Sequence, residues 1–182
     1  FNDALIISSK MTKDWILTKD NHRNEYAKSF GLIYSQIPEI TLPTQTFEGN
    51  HTLTIDGEQV ELLSLGAGET EDAIVVHFPL RQTVAVGDSV VVKDFPFMGA
   101  PIHDEGLKDD GAWCELLENI AKLNPDILLP GHGPYLKGRK HIQARLYLLR
   151  DLFRDLFRAT KNALEQTESI PEVISLVQAD LT

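Results

Sequence analysis

Residues 66–88 read Gly66-Ala-Gly-Glu-Thr-Glu-Asp-Ala-Ile-Val-Val-His-Phe-Pro-Leu-Arg-Gln-Thr-Val-Ala-Val-Gly-Asp88. Two apolar runs rich in β-branched residues, 73–78 and 83–86, flank the turn Pro79-Leu-Arg-Gln82 and read as strands. A Gly-rich segment carrying Glu69 precedes the first, and Gly87-Asp88 follows the second. A third polar cluster, Pro130-Gly-His-Gly-Pro134, follows an apolar strand at 126–129. Glycine beside each polar residue lets the backbone turn sharply or approach a bound group. Carboxylates with an imidazole suit zinc, iron or manganese. Taken singly, Asp88 reads as a turn residue and Glu69 as a solvated loop charge. Their order and spacing together with His132 point to a site.

Outward from this stretch the chain alternates between strand and helix signals. On the N-terminal side, 51–55 alternates, and Asp56-Gly57 is a hairpin turn into a strand at 59–65. Pro38 and Pro43 break the chain before that. Residues 4–8 read as a buried strand, and a helix is expected over 12–30, with Thr12 as its N-cap and Gly31 as its stop. On the C-terminal side, 93–110 has no periodicity and reads as a long loop, a common place for function. An amphipathic helix is expected over 112–123. A second, over 138–166, carries the stripe Ile142, Leu146, Leu149, Leu152, Phe153, Leu156 and Phe157. Ser169 with Glu172 resembles a capping box, with Pro171 in the first turn of a last helix to Leu181. The class is α/β (α+β), in one domain over 1–182. Within it, 1–45 is a strand plus a helix, 46–134 the β-rich motif region and 135–182 the C-terminal helices.

Composition removes several functions. Asp and Glu outnumber Lys and Arg 27 to 17, for a formal charge of −10, which repels phosphate backbones and anionic lipid. Neither nucleic acid nor a membrane surface is therefore an expected partner. The apolar runs at 73–76 and 90–92 are far too short to span a bilayer. Cys114 is the only cysteine, so no internal disulfide or thiolate-rich zinc site can form.

The order of the three polar segments resembles the metallo-β-lactamase-fold hydrolases. Their pattern is strand, Gly-x-Gly-His-Thr, strand-turn-strand, Gly-Asp, a variable loop, a helix, and a strand ending in Pro-Gly-His-Gly. Here Glu69 sits 19 residues before Asp88, and Asp88 sits 44 before His132. The resemblance implies an αββα sandwich of which this chain is mainly the C-terminal half. It also implies one or two metal ions, zinc first, with iron or manganese as alternatives. Asp88 matches the bridging carboxylate, and through it a catalytic role. His132 matches a second ligand, and Glu69 stands where the family has a ligating histidine. The metals would acidify a water for attack on an ester, lactone, lactam or phosphoester of a small-molecule substrate.

The family's H-x-H-x-D-H motif does not occur in the sequence. In relatives a strand like 3–8 follows shortly after that motif, so the resemblance implies a truncated domain with an incomplete or reorganised site. A non-catalytic, oligomerising remnant is the rival reading. An anion-binding module is disfavoured by the net charge and by Glu69. Lacking most of one sheet, the chain is expected to pair with itself as a homodimer or with a complementing N-terminal half. His103, in the long loop, is a candidate substrate contact or replacement ligand, and Phe97, with Phe95 and Met98, would line the same mouth. His51 and His77 read as sheet residues, and His22 and His141 as helix-surface residues.

Overall fold

The computed structural model describes residues 4–18, 28, 31, 40–94 and 111–181. A small parallel pair comes first: β1 (Ile7–Ser9) beside β2 (Gln45–Phe47), with α1 (Lys10–Thr18) following β1. Then comes a six-stranded sheet whose spatial order equals its chain order: β3 (His51–Ile55), β4 (Glu58–Leu63), β5 (Val75–Phe78), β6 (Thr83–Val91), β7 (Ile127–His132) and β8 (Leu136–Lys137). Neighbours run antiparallel except β6 and β7, which are parallel. A parallel pair needs a crossover, and α2 (Ala112–Lys122) lies in it. The 26-residue α3 (Arg139–Leu164) and α4 (Ile170–Asp180) close the chain.

The β3–β4 hairpin turns on Asp56 and Gly57, whose φ of 51° and 81° are the two left-handed residues a two-residue turn requires. Side chains alternate across a sheet, so register sorts them into faces. Val75, Val84, Val86, Leu128 and Leu136 point to one face. There they meet Trp113, Leu116, Leu117 and Ile120 of α2 and Ile142, Leu146, Leu149 and Phe153 of α3 in one buried cluster. Trp113 and Phe153 pack with ring centroids 4.8 Å apart. On the opposite face Leu62, Val76, Ala85 and Leu129 are neighbours in register across four strands. None of these four belongs to the cluster under the helices, and Leu129 is 39% exposed.

Several expectations are corrected in detail. Ser9, not Thr12, caps α1: its Oγ accepts from the Thr12 backbone N–H at 3.0 Å, while the Thr12 hydroxyl donates to Asp72 at 2.5 Å. The remainder of the helix expected to residue 30 lies outside the described residues, except Lys28, which is helical. The strand expected at 83–86 runs on to Val91, because Gly87-Asp88 is an irregularity inside a strand and not a turn. The capping box at Ser169 does not form, and Glu172 accepts instead from the Thr167 hydroxyl at 2.7 Å. Among the described residues no helix is long and apolar enough to cross a membrane.

Candidate metal centre

β6 and β7 run parallel, so the later part of β6, which carries Asp88, lies beside the C-terminal end of β7, which carries His132. The ladder shifts register between Ala85 and Gly87 and again between Gly87 and Val91, which bows β6 at Asp88. Gly87 takes φ 54°. Gly131 lies so close to β6 that a Cβ there would fall on the Asp88 carboxylate. Gly68 approaches Ser89 of β6 closely too, 2.6 Å from a would-be Cβ to the Ser89 Oγ, and so brings the Glu69 loop in. Glycine is needed at 131 and 68 for space, and at 87 for its backbone angle.

The His132 Nδ1 and Asp88 Oδ1 are 2.5 Å apart. The pair shares one hydrogen bond through Nδ1, on a ring that is 74% exposed. The hydrogen bond from His132 to Asp88, and then the charge of Asp88, raise the imidazole's pKa above its ordinary range, with Glu69 and Asp94 adding to the effect. Glu69 is also pushed up, first by desolvation and then by the negative charge of Asp88, against a smaller lowering by His132. The three groups expected from the sequence thus share one electrostatic neighbourhood.

Their chemistry suits a divalent ion, but their count falls short. Among the described residues no group of three His, Cys, Asp or Glu side chains lies close enough to hold a metal. A catalytic zinc typically takes three protein ligands plus water. The described residues therefore fit half a metal site and do not fit a complete one. His103 and Phe97 lie outside the described residues, as do Phe95, Met98 and His22. His77 pairs across strands with Glu61 at 2.8 Å, His51 stacks on Phe47 at 5.3 Å, and His141 is exposed on α3.

Sequence reasoning missed the groups that hold this corner in shape. The Trp113 Nε1 donates to the Ser89 carbonyl at 3.0 Å, and the Arg145 Nη2 donates to the Val91 carbonyl at 2.7 Å. A signal for Arg145 was available: it is a charged residue beside the apolar stripe Ile142, Leu146 and Leu149.

A mixed sheet with helices packed on one face thus carries a cluster of polar groups where β6 and β7 lie side by side. The profile of the metallo-beta-lactamase superfamily matches residues 9–132, and the chain belongs to that superfamily. It is similar to the metallo-beta-lactamase type 2 of Elizabethkingia meningoseptica, 29% identical over 154 residues, which cover 80% of this chain and 50% of that protein. It is also similar to a linear primary-alkylsulfatase of a Pseudomonas species, 23% identical over 135 residues, or 74% of this chain and 25% of that one. The chain thus spans about half and about a quarter of the length of these relatives. Among solved structures, a metallo-beta-lactamase family protein of Thermus thermophilus superposes with a TM-score of 0.62 at 14% identity. That match covers 88% of this chain and 56% of the other, and it shows the shared fold.

Proposed function

We propose that the chain is a metal-dependent hydrolase domain in which Asp88 and His132 form one side of a metal centre, with Glu69 in the same electrostatic neighbourhood but not within reach of a shared ion. One observation carries this reading: two residues 44 positions apart meet at 2.5 Å on adjacent parallel strands, in a corner whose close approach glycine permits. The donor set favours zinc, and iron or manganese are compatible with it. The remaining ligands would come from residues other than those described. The bond hydrolysed is an ester, lactone, lactam or phosphoester of a small molecule. The named relatives, a lactamase and an alkylsulfatase, support cyclic amides and add sulfate esters as substrate classes to assay.

A second reading, a non-catalytic folded domain, is favoured by the absence of a three-ligand group among the described residues. Assembly bears on both. Leu62, Val76, Ala85 and Leu129 make a continuous apolar row facing away from the helices, and monomers seldom leave broad apolar patches exposed. A second copy packed on this row by a two-fold axis would close the sandwich, and a complementing N-terminal half would do the same.

Metal content after dialysis against zinc, with hydrolysis of a nitrophenyl ester, a cephalosporin and an alkyl sulfate, tests the proposal. Bound metal and turnover that both fall in Asp88→Ala support the hydrolase. A folded protein that takes up metal and hydrolyses none of the three supports the non-catalytic reading, and one that takes up no metal refutes the metal centre. Sedimentation at micromolar concentration reads the assembly, and a stable monomer excludes the second copy.

A further inference from the structure

The segment of β6 that carries Asp88 takes side-chain hydrogen bonds from two helices. Residues 88–90 have no register partner in either neighbouring strand, since β5 pairs only with 83–85 and β7 resumes at Val91. Backbone groups left without a ladder must find other partners. Here the Ser89 carbonyl takes the indole N–H of Trp113, and the Val91 carbonyl takes the Arg145 guanidinium, which also reaches the Asp94 carbonyl at 3.4 Å. Directly beyond, the Val92 N–H donates to the His132 carbonyl at 3.0 Å, tying this strand end to the residue that meets Asp88. The Arg145 Nε is buried and has no hydrogen-bond partner among the described residues. Burying part of a guanidinium is costly. A leucine would fill an apolar stripe at no such cost but could not grip two carbonyls.

We propose that Arg145, seconded by Trp113, is a positioning residue that sets the approach of Asp88 to His132 by clamping the last part of β6, Trp113 on the stretch without register partners at Ser89 and Arg145 at Val91, where pairing with β7 resumes. The inference rests on Asp88 and His132 being the functional pair. Arg145 has no hydrogen bond to either of them: it acts through the Val91 carbonyl at the end of β6 and the Asp94 carbonyl just beyond it.

The test compares Arg145→Met, which keeps bulk and loses all donors, with Arg145→Lys, which keeps one cationic donor. Amide exchange at Val92, and the His132 ring-nitrogen shifts that report its bond to Asp88, are read together with competition titration of zinc. Local opening raises exchange only where the clamp is lost. In Arg145→Met, Val92 should exchange about tenfold faster or more, while Val84 and Leu128 in the same sheet keep their protection. The ring-nitrogen shifts should move, zinc affinity should fall, and Arg145→Lys should recover part of each. Unchanged Val92 exchange and His132 shifts in a folded Arg145→Met would overturn the proposal. So would equal acceleration at Val92, Val84 and Leu128 with no recovery in the lysine variant, which marks a stability role only. If the wild type binds no zinc, the metal-centre reading fails, while exchange and ring shifts still decide the clamp.

Discussion

An alanine at Gly131 would put a Cβ on the Asp88 Oδ1 and 2.7 Å from both Asp88 N and Gly87 C. The carboxylate can rotate away, but the other two are backbone atoms of β6, so the strands must part by several tenths of an ångström. Overpacking of this kind costs about 1–3 kcal/mol. Gly87 offers a control on the facing strand. A Cβ there meets nothing within 4 Å, so Gly87→Ala carries only the strain of φ 54°, about 1–2 kcal/mol. The two variants therefore lose comparable stability but differ in what happens to the site. Urea unfolding measures the loss, and the His132 ring-nitrogen shifts report the bond to Asp88. Gly131→Ala should break that bond, and Gly87→Ala should keep it. A Gly131→Ala protein with wild-type stability and an intact bond would show that β6 and β7 do not approach so closely.

Glu69 holds its proton more tightly folded than unfolded, because burial and Asp88 disfavour its charge. Stability should then fall as pH rises through the carboxylate range and stay lowered above it. Metal-free Glu69→Gln should accordingly unfold at higher urea than wild type at neutral pH, while binding zinc more weakly. An equal or lower midpoint would relegate Glu69 to a solvated loop charge. His132 loses stabilisation in a higher window: its raised pKa means that pairing with Asp88 stabilises the fold below about pH 6.5 and is lost as pH climbs through the folded value. The urea midpoints of wild type and Asp88→Asn should differ at pH 6 and converge at alkaline pH, and a gap independent of pH would contradict this. Trp113 is fully buried, so Trp113→Ala should cost about 3–5 kcal/mol. Trp113→Phe loses mainly the bond to the Ser89 carbonyl and should cost about 1–3 kcal/mol, and a Trp113→Phe protein as stable as wild type would deny that bond any role.

Most strands and the long helices were legible in the sequence, because apolar periodicity follows burial. The run at 4–8, expected as a buried strand, forms only the half-buried β1 at Ile7–Ser9, with Leu5 63% exposed. Ile142, Leu146, Leu149 and Phe153 line the buried side of α3, as their spacing predicts, while Leu152 of the same expected stripe is 38% exposed. The Asp56-Gly57 hairpin formed for the backbone reason its residues imply. The pairing of Asp88 with His132 was legible only through the order of motifs, since nothing local links residues 44 apart. Other features depended on tertiary context that no window of sequence contains. Gly87-Asp88 has turn composition yet lies within a strand, because helix side chains satisfy the free carbonyls just beyond it. Thr12 abandoned the cap for Asp72, 60 residues away, leaving the capping role to Ser9. The short β8 was invisible because two residues, Leu136 and Lys137, carry no period.

Whether Asp88 and His132 belong to one metal centre is tested most directly by X-ray absorption at the zinc edge of the zinc-loaded protein, because it counts and types the ligands. A shell of nitrogen and oxygen near 2.0–2.2 Å is expected. It should contain an imidazole contribution that His132→Ala removes, and Asp88→Ala should reduce zinc uptake. A protein that takes up no zinc, or whose zinc shell is the same in both variants as in wild type, would contradict the shared centre.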